Sequence, residues 1–72
     1  MIKPQIKVMM AIRELTQTQL AEMTGISQAA ISKMSSGRAK HIPVDDMDAL
    51  CRVLDCQPSD LFKYIPEEKK EE

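Results

Sequence analysis

The middle of the sequence contains the residues best suited to bind an anion. Residues 23–44 contain three bases, Lys33, Arg38 and Lys40, and no acid. Residues 1–22 have three bases and two acids, whereas residues 45–72 have four bases and nine acids. The whole chain has a net charge of −1, but the local charge decides where an anion docks. This basic segment, residues 23–44, therefore predicts a site for an anionic partner.

The other reactive residues are not arranged for catalysis or for metal binding. Cys51 and Cys56 are five positions apart rather than in a C-x-x-C pair, and His41 is the only histidine. A zinc site needs four good ligands, and no Ser/His/Asp, Cys/His or carboxylate pair is arranged for catalysis. We expect Cys51 to be a reduced core residue and Cys56 to lie at a helix end. We expect no enzymatic activity, no cofactor and no metal.

The composition indicates one small helical domain. Apolar residues make up 43% of the 72 residues, with one Tyr and one Phe as the aromatics. The core must therefore come from Leu, Ile, Val, Met and Ala, a mixture that favours helices. No apolar run is long enough to span a membrane, and the N-terminus lacks a signal-peptide pattern. We expect a cytoplasmic protein with one domain over residues 1–65 and a charged, flexible tail over residues 66–72.

Two short helices joined by a glycine turn occupy the centre of the sequence. Thr16 and Gln19 match the capping box that opens a helix, and Gly25 fits the left-handed position just past a helix end. Ser27 is a suitable N-cap for the next helix, over residues 28–35. Neither helix would be stable alone in water. A connection this short is typical of a helix-turn-helix, in which the second helix is presented outward.

Three further helices complete the predicted fold. Pro58 suits the first position of the last helix, and the preceding helix has the clearest amphipathic pattern of the chain. The pattern gives five helices and no strand, and hence an all-α fold. The three additional helices are expected at about residues 5–15, 44–54 and 58–64, and the amphipathic stripe consists of Val44, Met47, Leu50, Cys51 and Leu54.

The run TQTQLAEMTGISQAAISKMSSGR resembles the Xre/Cro-type helix-turn-helix of phage repressors and bacterial regulators. The resemblance extends from about residue 5 to residue 65 and includes VDDMDALCRVLDCQPSDLF, which is similar to the fourth and fifth helices of the small Xre-type regulators. It implies a compact five-helix bundle, a phage repressor-like DNA-binding domain from a bacterium or phage. The third helix would lie in the DNA major groove, with phosphates held on either side of it.

The resemblance also implies roles for individual residues. Gln28 could bond bidentately to adenine, Ala29 could contact a thymine methyl group and Lys33 could donate to guanine. Met34 and Ser36 stand where the family often has an aromatic residue and Asn, so packing would be weaker, but Ser36 can still donate to phosphate. The base-contacting set would be Gln28, Ala29, Ser32 and Lys33. The phosphate-contacting set would be Gln17, Ser27, Ser36, Arg38 and Lys40.

The expected function is sequence-specific binding of double-stranded DNA by a small transcriptional regulator, a repressor, without a small-molecule effector domain. A homodimer would require a pseudo-palindromic operator. Two alternatives stay open. The first is an antitoxin-like or phage-encoded protein-interaction module, which an exposed apolar patch around Leu61, Phe62 and Ile65 would support. The second is a degenerate helix-turn-helix that has lost DNA binding, for which the low number of bases is the only support.

Overall fold

The computed structural model describes residues 1–66, which form five α-helices and one two-stranded antiparallel sheet. Within residues 1–66, no helix is both long and apolar enough to cross a membrane. The predicted tail lies outside the described residues, apart from Pro66. The elements are β1 (Ile2–Pro4), α1 (Ile6–Ile12), α2 (Gln17–Thr24), α3 (Gln28–Ser36), α4 (Val44–Leu54), α5 (Pro58–Leu61) and β2 (Phe62–Tyr64).

The small sheet corrects the expectation of a purely helical fold. Strand β1 pairs with β2, with Ile2 opposite Tyr64 and Lys3 opposite Lys63. The last helix ends at Leu61 rather than near residue 64, because Phe62 adopts extended backbone angles of φ −140 and ψ 131. Local periodicity could not reveal these strands, since each has three residues and its partner lies at the other end of the sequence.

The core takes at least one completely buried side chain from every helix. Helices of 4 to 11 residues are marginal by themselves, so the shared core is what stabilises them. Val44, expected on the buried stripe of α4, is instead 83% exposed, because it is the first residue of that helix and precedes the part that enters the core. The fully buried residues are Ile6, Leu20, Ile31, Leu50, Leu54 and Leu61.

The C-terminal ends of α1 and α4 are held against each other by Arg13. Its Nε donates to the carbonyl of Leu54 at 2.7 Å, and its Nη2 donates to the carbonyl of Asp55 at 3.0 Å. These carbonyls lie at the C-terminus of α4, where backbone acceptors lack partners within the helix and a cation is favoured. Arg13 therefore stabilises the packing of the scaffold on which the central helices rest.

Helix α1 is shorter than expected, since it ends at Ile12 rather than near residue 15. Glu14 adopts a left-handed conformation with φ 58, and the Leu15 N–H donates to the Met10 carbonyl at 2.9 Å. This is the Schellman pattern, which normally has glycine at the left-handed position. Because Glu14 and not glycine stands at this position, no residue type marks the end of the helix.

Candidate nucleic-acid interface

Helix α2 begins and ends with the capping interactions that the sequence predicts. The Gln19 N–H donates to Thr16 Oγ1 at 3.1 Å, and the Thr16 N–H donates to Gln19 Oε1 at 2.9 Å. At the other end, Gly25 has φ 81 and its N–H donates to the Ala21 carbonyl. A Cβ on Gly25 would meet nothing within 4 Å. Glycine is therefore favoured here by its backbone angle and not by lack of space.

The turn between α2 and α3 is fixed by side chains as well as by its backbone. Thr24 Oγ1 donates to the Leu20 carbonyl at 2.7 Å and accepts from the Ile26 N–H at 3.1 Å. Ile26 is buried in the core, so the turn is anchored from below. Ser27 then caps α3, because its Oγ accepts from the Ala30 N–H at 3.1 Å. The helix-turn-helix predicted from the sequence is confirmed in this geometry.

Helix α3 presents the four predicted base-contacting residues on its outer side. Gln28, Ala29 and Lys33 are exposed and Ser32 is half-buried. The opposite side of the helix is buried, through Ile31, Met34 and Ser35. The four residues are one or a few positions apart on a nine-residue helix, so they form a continuous surface with a single charge, that of Lys33.

The first turns of α2 and α3 are joined directly by the two glutamines. Gln17 Nε2 donates to the main-chain carbonyl of Gln28 at 3.1 Å. Gln17 is half-buried and Gln28 is exposed. A side-chain amide has two N–H donors, so this contact still allows Gln17 to donate to an outside acceptor. The bond fixes the position of Gln17 beside the start of α3, next to Ser27.

A hydrogen-bonded turn follows α3 and places Arg38 next to Ser36. Gly37 has φ 83, and the Arg38 N–H donates to the Lys33 carbonyl at 3.0 Å, as in a Schellman motif. Arg38 Nε donates to Ser36 Oγ at 2.9 Å, while Ser36 Oγ donates to the Lys33 carbonyl at 3.2 Å. The turn thus positions the Arg38 guanidinium group through Ser36, which the sequence also predicts to be a phosphate-contacting residue.

The three bases of the basic segment lie around one open cleft of about 360 Å³. Lys33, Arg38 and Lys40 line it, together with His41 and Asp46. Sequence reasoning did not place Asp46 here. It lies in the first turn of α4, and the loop between α3 and α4 brings that turn to the cleft. Pro43 is the N-cap of α4 and also lines the cleft. It was the residue in the sequence that could have indicated that the start of α4 lies there.

The apolar patch that would favour a protein-interaction module is not exposed. Leu61 is completely buried, and Phe62 and Ile65 are half-buried. Leu61 instead lies in the core, and its carbonyl accepts from the Gln5 N–H at 2.7 Å. These residues hold the last helix and the sheet in place.

This arrangement, two short capped helices with a polar outer helix and a basic turn, defines a helix-turn-helix domain. The profile of the Cro/C1-type HTH DNA-binding domain matches residues 5–67, and the chain belongs to that family, which confirms the resemblance seen in the sequence. The chain is also similar to YozG of Bacillus subtilis (strain 168), described as an uncharacterized HTH-type transcriptional regulator. The two are 40% identical over 63 residues, which cover 88% of this chain and 75% of that relative.

Proposed function

We propose that the protein is a sequence-specific regulator of transcription, a repressor, that places α3 in the major groove of double-stranded DNA. One observation carries the proposal: Gln28, Ala29, Ser32 and Lys33 share the outer side of α3, whose other side is fixed in the core. A helix fits the major groove when its outer residues are small enough to approach base edges and can donate or accept hydrogen bonds. This surface has both properties.

The phosphate-contacting set supports the same orientation, because its members flank α3 at both ends. Gln17 and Ser27 lie at its N-terminus, where backbone N–H groups and the helix dipole favour an anion. Ser36, Arg38 and Lys40 lie at or beyond its C-terminus. Nine helical residues span about 13 Å, close to the major-groove width of about 12 Å. The two groups can therefore contact the backbones on either side of the groove.

The small number of bases indicates how the protein would achieve useful affinity. Only Lys33, Arg38 and Lys40 stand in the basic segment, and each phosphate contact contributes a limited, salt-sensitive increment. Two domains on one pseudo-palindrome would double these contacts, with half-sites about 34–36 Å apart. We therefore propose a homodimer on its operator, and repression by occupation of a promoter rather than by recruitment.

Selection of bound sequences from random duplexes tests the proposal. We expect an enriched motif with two-fold symmetry, and affinity for it that falls as salt is raised. Enrichment of one half-site without two-fold symmetry would support base recognition and would contradict the dimer. No enrichment, together with an affinity that does not respond to salt, would refute DNA binding by this surface and would favour the degenerate helix-turn-helix.

A further inference from the structure

The two cysteines flank the C-terminal end of α4. Both are free thiols and half-buried. Cys51 lies in the last turns of the helix, and Asp55, which follows the helix, has a left-handed backbone. The Cys56 N–H donates to the Cys51 carbonyl at 3.1 Å. The cap of the helix therefore brings together two residues that are five positions apart in the sequence.

The backbone geometry suits a covalent link between these side chains. The bond from the Cys56 N–H to the Cys51 carbonyl is that of a Schellman cap, in which the side chains of the two joined residues frequently touch. A disulfide requires two side chains that approach each other in this way. The Cys51 and Cys56 thiols are also close enough for each to influence the pKa of the other.

We propose that Cys51 and Cys56 are a modification site, which hydrogen peroxide converts into a reversible intrachain disulfide. The Cys51 thiolate attacks one peroxide oxygen and becomes a sulfenic acid, and the departing hydroxide takes a proton to give water. The Cys56 sulfur then attacks the Cys51 sulfur and displaces its hydroxyl as a second water. In sum, two thiols and one peroxide give one disulfide and two waters, with sulfur oxidised and peroxide oxygen reduced.

The order in which the two sulfurs react follows from the opposite effects that they have on each other. Cys56 lowers the pKa of the Cys51 thiol, whereas Cys51 raises the pKa of the Cys56 thiol, and this difference favours Cys51 as the attacking group. The cap of the helix holds Cys56 next to Cys51, so Cys56 competes well against a thiol from another molecule. The proposal is independent of DNA binding, because the pair lies on α4 and its cap rather than on α3.

The surroundings of the pair make the reaction slow at neutral pH and faster in base. Burial and the Asp48 carboxylate raise the pKa of the Cys51 thiol, and Asp60 adds to this. Burial, Cys51 and Asp60 raise the pKa of the Cys56 thiol, while the Arg13 guanidinium opposes them and Asp55 adds a small further increase. Only the thiolate attacks peroxide, so the rate rises about tenfold per pH unit below the pKa.

Peptide mapping tests the proposal directly, because Arg52 lies between the two cysteines. The full chain is reduced, treated with hydrogen peroxide and digested with trypsin without reductant. We expect peptides 41–52 and 53–63 to appear joined, with the two thiols lost together and the protein unchanged in oligomeric state. Dithiothreitol should separate the peptides again.

Two serine variants are the matched controls, Cys51→Ser and Cys56→Ser. Each should lose the joined peptides and keep its circular dichroism spectrum, and its remaining thiol should react with oxidised glutathione to a mixed disulfide. In the unchanged protein the intrachain disulfide should exceed that mixed disulfide at least about tenfold, since its partner thiol is already in place. Chains joined to one another, or sulfinic acids on unlinked cysteines, would overturn the proposal.

Discussion

Replacement of Arg38 by alanine should reduce the salt dependence of DNA binding by a defined amount. Each neutralised phosphate contributes about −0.9 to the slope of log affinity against log salt for duplex DNA. With Arg38 and Lys40 as the phosphate-contacting bases, we expect a slope of about −1.8 per bound domain. Arg38→Ala should bring it to about −0.9, so that raising salt from 50 to 200 mM weakens binding about 3.5-fold instead of about 12-fold.

Variants of the contact between Arg38 and Ser36 test separately the charge of the Arg38 side chain and its position. Arg38→Lys keeps the charge, and therefore the slope, but has no Nε–H to donate to Ser36 Oγ, a contact of 2.9 Å in this structure. Ser36→Ala removes the same bond from the other side. Both variants should lose affinity by about 0.5–1.5 kcal/mol with no change in slope.

Fluorescence anisotropy of a labelled duplex at several salt concentrations measures both quantities. The matched control is Arg52→Ala, which changes the net charge of the protein by the same amount as Arg38→Ala. Arg52 is exposed in the last turn of α4, whereas the cleft lies beside the first turn. If the two variants reduced the slope equally, the effect would come from total charge, and the assignment of Arg38 to phosphate contact would be refuted.

Three further substitutions test the interface and the scaffold that holds it. Gln28→Ala should relax base preference at one operator position, at a cost of about 1–3 kcal/mol there, measured by repeating the selection; equal loss on all sequences would contradict base contact. Arg13→Ala should lower the free energy of unfolding by about 1–2 kcal/mol, because the Leu54 and Asp55 carbonyls lose a charged donor, measured by urea titration with Arg52→Ala as control. Glu14→Gly should raise that free energy by about 0.5–1 kcal/mol, since glycine removes left-handed strain; a lower midpoint in thermal unfolding would show that Glu14 is not strained.

The parts of the fold that sequence alone predicted are those set by local chemistry. The starts of α2 and α3 follow from Thr16 and Ser27, and the end of α2 follows from Gly25, because caps involve residues within a few positions of each other. The pairing of β1 with β2 depends on residues about 60 positions apart, which no local pattern contains. The end of α1 was missed because Glu14 occupies a position where glycine is usual.

The candidate site shows the same division between local and tertiary information. The outer side of α3 follows from helical spacing once Ile31 and Met34 are assigned to the core. The contact of Gln17 with the Gln28 carbonyl depends on how α2 crosses α3, and the place of Asp46 at the cleft depends on the path of the loop before α4. The sequence contains these residues, but it does not show that Gln17 lies next to Gln28 or that Asp46 lies next to the bases.

The net charge of −1 is compatible with a polyanionic partner because of where the acids lie. Asp55 and Asp60 are at and beyond the far end of α4, a helix of 11 residues that spans about 16 Å. Screening at 0.1 M salt extends about 10 Å, so these acids contribute little at the cleft. Asp45 and Asp46 do contribute, but both lie in the first turn of α4, where the helix dipole favours a carboxylate. Their positions weaken the attraction for DNA but stabilise the helix beside the bases, and α3 with the adjoining turn stays the surface that we propose to contact phosphate.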